Sequence, residues 1–261
     1  MTTKNRKTNN NPSVKTSASW ISTIPNAVTL LNLLSGMTAT ILVFQGQFAF
    51  SLLFFGLSLI SDFADGLLAR MLNATTELGK QLDSLSDLVS FGVYPAASMF
   101  YILNLLLSPQ NTDSVLILPF IAIIIPGFGA LRLAIFNLED QNKNYFQGLP
   151  IPAAAFGILS AGFMVKSLIS SSAAHTAFAQ FFTSSLTITA AIVLYSILMI
   201  SKLPMLNLKF SGTKWKENQH RYLLVALLTG AMIWFKLYAL PFLIPGYIIY
   251  SLVFSKKTMQ H

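Results

Sequence analysis

The sequence predicts an all-α protein, a polytopic membrane helix bundle with about eight transmembrane helices. The composition, the length of the apolar segments and the distribution of the cations each favour this fold class. Of 261 residues, 54% are hydrophobic and 10% are charged, whereas soluble domains carry about 25% charged residues. So few polar groups cannot cover a surface exposed to water, and the composition excludes disordered and collagen-like chains. The absence of cysteine excludes disulfides and thiolate chemistry.

Apolar segments of the length that a membrane helix needs follow one another along the chain. A helix crosses about 30 Å of hydrocarbon with roughly 20 residues, and these segments lack the alternation of a membrane β-strand. In chain order they cover 25–45, 49–71, 82–107, 114–137, 150–169, 183–203, 221–238 and 240–255. The polar residues 1–19 predict a disordered cytoplasmic tail and not a signal peptide. We expect a six-helix core over 20–203, a cytoplasmic loop over 204–220, and two further transmembrane helices with a short tail over 221–261.

The cations predict the orientation of the helices in the membrane. With the N-terminus in the cytoplasm, all but two of the 17 Lys and Arg residues lie at cytoplasmic segments or helix ends, the exceptions being Lys166 and Lys236. The positive-inside rule therefore predicts that both termini are cytoplasmic. The net charge of +8 favours contact with anionic lipid headgroups over nucleic acid. We expect the inner membrane of a bacterium, and these residues leave an archaeal membrane open.

Four acidic residues are concentrated within or beside two predicted spans. They are Asp62, Asp65, Asp83 and Asp87, and one 26-residue window contains them all. An Asp in a membrane helix costs roughly 2.5–3.5 kcal/mol, and two such charges 4 Å apart repel by about 4 kcal/mol at an effective dielectric constant of 20. A bound divalent cation would offset this repulsion. Oxygen ligands without Cys or His nearby favour Mg²⁺ or Mn²⁺ over Zn²⁺.

The spacing of these residues predicts that they converge. Positions 62, 65, 66, 69 and 70 share one face of the second helix, and positions 79, 83 and 87 share one face of the third. A turn over 71–78 would aim both faces at one point near the cytoplasmic surface, where lipid phosphates lie.

Two other interpretations of the acidic residues fit the sequence less well than metal binding. Pairing with cations across helices would need more partners than Arg70 and Lys80 supply. A transport pathway would place acidic residues through the depth of the membrane, whereas these four cluster at one end of two adjacent spans.

A motif of eight fixed positions carries the resemblance to a known family. The pattern D-x2-D-G-x2-A-R-x8-G-x3-D-x3-D begins at Asp62 and ends at Asp87, and it resembles the signature of the CDP-alcohol phosphotransferases at every fixed position. The resemblance implies a six-helix catalytic membrane core, a CDP-linked lipid donor, an alcohol acceptor, release of CMP and a homodimer.

The resemblance also implies roles for individual residues. All four aspartates look like metal ligands, and Asp87 looks like the general base as well, although spacing alone does not separate a base from a ligand. The residues that look like the CDP-lipid site are Thr29, Asp65, Gly66, Ala69, Arg70 and Gly79.

Evidence for the acceptor alcohol comes from three further stretches, which begin at Asp87, Leu131 and Tyr145. They resemble the branch of the family that uses CDP-diacylglycerol and L-serine and makes phosphatidylserine. The serine carboxylate calls for a cation, and Arg132 is the first candidate, followed by Lys143 and Gln147. Glycerol 3-phosphate and inositol phosphate remain open as acceptors, although a phosphate dianion would call for more cations.

One position departs from that branch. Many of its members have a second arginine where this chain has Ile135, and Ile135 could equally face lipid.

Overall fold

The computed structural model describes residues 20–107, 117–138, 146–170, 176–205 and 239–258. Within these ranges the regular structure is helical apart from two short strands that pair with each other. The α-helices are α1 (Trp20–Phe44), α2 (Phe48–Met71), α3 (Glu77–Asp87), α4 (Tyr94–Leu107), α5 (Ile124–Leu138), α6 (Ile151–Ile169), α7 (Ala177–Thr183), α8 (Ser185–Ile200) and α9 (Leu240–Thr258). A π-helical segment (Leu88–Val93) joins α3 to α4, and a 3₁₀ helix (Leu118–Ile123) precedes α5. The strands are β1 (Phe146–Gln147) and β2 (Pro204–Met205).

Among the described residues, five helical stretches are long and apolar enough to cross a membrane. They are Ser22–Phe44, Phe48–Met71, Glu77–Leu107, Leu118–Leu138 and Ile151–Ile169. The pair α7 and α8, bent by 53°, makes a sixth candidate, and α9 contains a shorter apolar stretch, Leu240–Ser251. These helices coincide with seven of the eight expected spans, so the chain is a polytopic membrane helix bundle. The expected span 221–238, the tail 1–19 and nearly all of the loop 204–220 lie outside the described residues.

The π-helical segment divides the third span directly after Asp87. A π turn inserts one extra residue per turn and frequently marks a functional site. Ser90, Phe91 and Gly92 are all buried within it. A Cβ atom on Gly92 would lie 3.2 Å from Cα of Pro126, so α5 approaches the backbone of this segment closely.

Hydrogen bonds and small side chains fix the register of α1 against the third span. The Ser86 hydroxyl donates to the Thr29 carbonyl at 3.1 Å, and the Ser90 hydroxyl donates to the Asn32 carbonyl at 3.0 Å. A Cβ atom on Gly36 would lie 2.6 Å from Cα of Ser90. Small residues let membrane helices approach closely, and α1 therefore lies directly against the helix that carries Asp83 and Asp87.

A short connection ties the start of α6 to the end of α8. The Gly148 amide donates to the Leu203 carbonyl at 2.9 Å, and the Leu149 amide donates to the Leu198 carbonyl at 3.0 Å. Gly148 has a φ of +76°, which glycine adopts without strain. We call residues 146–149, with their antiparallel partner β2, the α6 strap. It holds the N-terminus of α6, which follows Pro150, next to the third span.

Candidate active site

Three of the four predicted metal ligands converge between α2 and α3. One carboxylate oxygen from each of Asp62, Asp83 and Asp87 lies within 4.8 Å of the others. Oxygen ligands of one Mg²⁺ lie at 2.0–2.1 Å from the ion, and hence at most about 4.2 Å from each other. Adjacent ligands of an octahedral ion lie about 2.9 Å apart, so the three carboxylates would have to draw together by up to about 1.9 Å to share one cation.

The tight turn between α2 and α3 produces this convergence. Asn73 takes a φ of +48°, a conformation that asparagine tolerates better than most residues. Thr76 then caps α3, since its hydroxyl accepts a hydrogen bond from the Gly79 amide at 3.0 Å. The two helices run antiparallel, so their acidic faces meet at the same end of the bundle.

The fourth aspartate, Asp65, is not part of that group of three. It is 5% exposed, and its Oδ2 accepts no hydrogen bond from any described residue. A buried carboxylate oxygen without a donor is costly and suits a cation ligand. The oxygen-only donor set and this orphaned atom fit a divalent metal.

The two nearby cations make contacts away from the aspartates. Lys80 pairs with Glu77 at 2.9 Å, and Nε of Arg70 donates to the Gly66 carbonyl at 2.9 Å. Neither contact reaches the four carboxylates. Pairing between these cations and the aspartates is therefore not what holds the cluster.

A polar cleft opens on one side of the aspartate cluster. Five of the six residues predicted for the CDP-lipid line it, namely Thr29, Asp65, Gly66, Ala69 and Gly79. Arg70, the sixth, is exposed and is not among the lining residues. Lys80 and Asp83 complete the wall from the α3 side. A Cβ atom on Gly66 would meet nothing within 4 Å, so a ligand in this cleft can reach the α2 backbone.

A second and smaller cavity lies on the Asp87 side. It has a volume of about 130 Å³ and is lined by Asp87, Arg132, Leu133, Phe136, Pro150, Ile151 and Pro152. Arg132 is 5% exposed, and its guanidinium carbon lies 5.5 Å from the centroid of the Phe136 ring. A carboxylate and a buried guanidinium therefore share a cavity of the size of a small polar molecule.

The structure describes the other residues considered for acceptor binding only in part. Lys143 lies outside the described residues, and of Gln147 only the backbone, in β1, is described. Ile135 is 37% exposed and is not among the residues that line the cavity. It therefore occupies the outer face of α5.

Two residues at this site, Phe136 and Asn32, were given no role from the sequence. Phe136 lies one helical turn after Arg132, and i, i+4 spacing is the signal that could have placed it in the same cavity. Asn32 is fully buried on α1, and its Nδ2 donates to Oδ1 of Asp87 at 3.3 Å. An amide side chain with two leucines on each side, within a membrane helix, is the signal for Asn32.

Comparison with known proteins identifies the class to which this fold and site belong. A family model described as CDP-alcohol phosphatidyltransferase matches residues 22–199, and the chain belongs to this family.

Its relatives include proteins named CDP-diacylglycerol–serine O-phosphatidyltransferase. The one from Methanocaldococcus jannaschii is 42% identical over 143 residues, which are 55% of this chain and 61% of that protein. The one from Bacillus subtilis is 31% identical over 150 residues, 56% of this chain and 78% of that protein. The one from Helicobacter pylori strain J99 is 30% identical over 231 residues, 88% of this chain and 89% of that protein.

Proposed function

We propose that this protein transfers the phosphatidyl group of CDP-diacylglycerol to the hydroxyl of L-serine, giving phosphatidylserine and CMP. The observation that carries the proposal is the shared cavity of Asp87 and Arg132 beside the aspartate cluster. The names of the relatives support the same reaction. The fixed residues of the motif would bind the CDP-diacylglycerol donor, and the smaller cavity would bind the serine acceptor.

The polar cleft is proposed to bind the cytidine diphosphate of the donor. Thr29, Gly66, Ala69 and Gly79 present small side chains or none, so the ligand can lie against the helix backbones. Arg70, at the exposed end of the same face of α2, would contact the phosphates from outside the cleft. The lipid tails would extend into the bilayer beside α2.

The four aspartates are proposed to hold Mg²⁺ or Mn²⁺. When bound, the metal would neutralise the diphosphate and stabilise CMP as the leaving group. Asp62, Asp83 and Asp87 would share it through their convergent oxygens, and Asp65 would contribute its orphaned Oδ2 from the cleft wall.

Asp87 is proposed to be the general base as well. It would take the proton from the serine hydroxyl while the serine oxygen attacks the phosphorus that bears diacylglycerol. The bond between that phosphorus and the bridging oxygen then breaks, and CMP leaves with the bond electrons. Arg132 would bind the serine carboxylate, which holds the hydroxyl towards Asp87. Lys143 and Gln147 remain proposed contributors to this acceptor site.

The setting of this reaction is proposed on the distribution of cations and on the family resemblance. We place the aspartate cluster at the cytoplasmic face of a bacterial inner membrane, with both termini in the cytoplasm. Residues 20–203 would form the catalytic core, and 221–261 would add two helices. A homodimer is the proposed assembly.

The test is CMP release by the purified protein from CDP-diacylglycerol, with Mg²⁺ or Mn²⁺. Parallel reactions contain L-serine, glycerol 3-phosphate, inositol phosphate or no acceptor. Release that depends on serine is expected, and a chelator should stop it. Release with a different alcohol would keep the aspartate chemistry and refute serine as the acceptor. No release from folded, metal-supplied protein with any acceptor would refute the reaction.

A further inference from the structure

Asn32 contacts Asp87 from a different helix. Both residues before it and both residues after it are leucines, and Asn32 itself is fully buried. Its Nδ2 donates to Oδ1 of Asp87 at 3.3 Å, while its own Oδ1 accepts no hydrogen bond from any described residue. A buried amide oxygen without a donor destabilises a fold, and leucine at position 32 would avoid that cost. The amide therefore needs an explanation other than packing.

The backbone around Asn32 is fixed to the helix that carries Asp87. Ser90 binds the carbonyl of Asn32 itself, and Ser86 binds the carbonyl of Thr29 one turn earlier. These serines lie immediately before Asp87 and three residues after it. The close approach of Gly36 to Ser90 adds a third contact one turn later. The amide of Asn32 therefore has little freedom to move relative to the carboxylate it binds.

We propose that Asn32 is a positioning residue for Asp87. This inference rests on the proposed function, in which Asp87 accepts the serine proton. A carboxylate on a helix can rotate about its side-chain bonds, and a hydrogen bond to Oδ1 restricts that rotation. The second oxygen, Oδ2, is then left to accept the serine proton, next to the smaller cavity that Asp87 lines. Asn32 thus holds the proton acceptor, Asp87, at a fixed position relative to α1. The same helix carries Thr29, which lines the polar cleft.

A different role would be that of an interhelical hydrogen bond that only stabilises the bundle. Such bonds contribute modestly to the stability of membrane proteins. In that case a substitution would lower the fraction of folded protein and leave the turnover of each folded molecule unchanged. If Asn32 positions the base, a substitution should instead lower the kcat of each folded molecule.

The experiment compares two substitutions of Asn32 with one control. Asn32→Ala removes the amide donor by truncation, and Asn32→Leu replaces it with an apolar side chain that extends the flanking leucines. Asn104→Leu is the control, because Nδ2 of Asn104 donates to the Phe100 carbonyl of its own helix at 2.9 Å. For each protein the folded fraction is measured by thermal unfolding, and kcat and both KM values are measured by CMP release.

We expect kcat per folded molecule to fall about 10- to 100-fold in both Asn32 variants, as for loss of a hydrogen bond to a charged group. The KM for CDP-diacylglycerol should change by less than about twofold, because Asn32 is not proposed to contact the bound donor. Asn104→Leu should leave kcat unchanged. An unaltered kcat in folded Asn32→Leu, or a loss that matches only the unfolded fraction, would overturn the proposal.

Failure of the proposed function gives a different result. If the unsubstituted protein uses another alcohol, the same comparison is made with that alcohol, and the role of Asn32 is decided there. If the unsubstituted protein releases no CMP with any acceptor, the proposed reaction fails, and the inference about Asn32 is overturned with it.

Discussion

Gly66→Ala tests whether the donor nucleotide lies against α2. The added Cβ would meet no protein atom within 4 Å, and alanine is favoured over glycine in a helix interior by about 1 kcal/mol. The fold should therefore tolerate the change or gain stability. The same methyl group would project into the polar cleft and collide with a ligand that packs against the α2 backbone at Gly66.

The magnitude follows from the cost of overpacking. One methyl group forced into a filled site costs about 1–3 kcal/mol, and every 1.4 kcal/mol is a factor of about ten in affinity. The KM for CDP-diacylglycerol should therefore rise about fivefold to 150-fold, while the KM for serine stays unchanged. Initial rates of CMP release at varied donor concentration, in detergent micelles of fixed composition, measure this quantity.

Gly56→Ala is the matched control. Gly56 lies on the same helix, a Cβ atom there would also meet nothing within 4 Å, and it is not among the residues that line the cleft. It should show the gain in helix stability without the rise in KM. Equal donor KM values for Gly66→Ala and Gly56→Ala would refute the proposed contact of the donor with α2.

Three further substitutions test the remaining parts of the site. Asp87→Asn should lower kcat about 10²- to 10⁴-fold, the range for loss of a general base, with an unchanged unfolding temperature; near-normal turnover would remove it as the base. Arg132→Ala should raise the serine KM about 10- to 150-fold, as expected for a hydrogen bond to a charged group, and an unchanged KM would remove Arg132 from the acceptor site. Gly148→Ala should lower stability and raise the serine KM, because its Cβ would lie 2.6 Å from the Met199 carbonyl. Gly46→Ala is its control, since φ is also strongly positive at +75° and the nearest atom lies 3.4 Å away; equal effects of the two would refute a role for the α6 strap.

The helix bundle could be predicted because apolar length is a property of each segment by itself. The start of the third span could not be predicted in this way. The apolar pattern placed its start near residue 82, whereas α3 begins at Glu77, because Thr76 caps a polar first turn that hydropathy ignores. The sixth predicted span begins at residue 183, so neither α7, which ends at Thr183, nor its 53° bend to α8 was predicted.

The aspartate cluster could be predicted because its spacing within two helices determines which residues share a face. The smaller cavity that Asp87 and Arg132 line could be predicted only in part. Arg132 was a candidate from its charge, but Pro150 and Pro152 join it through the α6 strap, which no periodicity describes. Asn32 meets Asp87 across 55 positions of sequence, and helical spacing does not indicate which helices touch. Contacts between helices depend on packing, and single-helix patterns do not encode it.

The placement of the two cavities on successive turns of α3 has a consequence for the order of events. Asp83 lines the polar cleft and Asp87 lines the smaller cavity, so the two proposed substrate sites are separate and can be filled at the same time. Under the proposed function, both are bound together when the phosphorus–oxygen bond forms. The protein then needs no covalent phosphatidyl intermediate to carry the lipid from one partner to the other. Under the proposed function, the architecture of one helix therefore predicts a sequential mechanism with a single direct displacement at phosphorus.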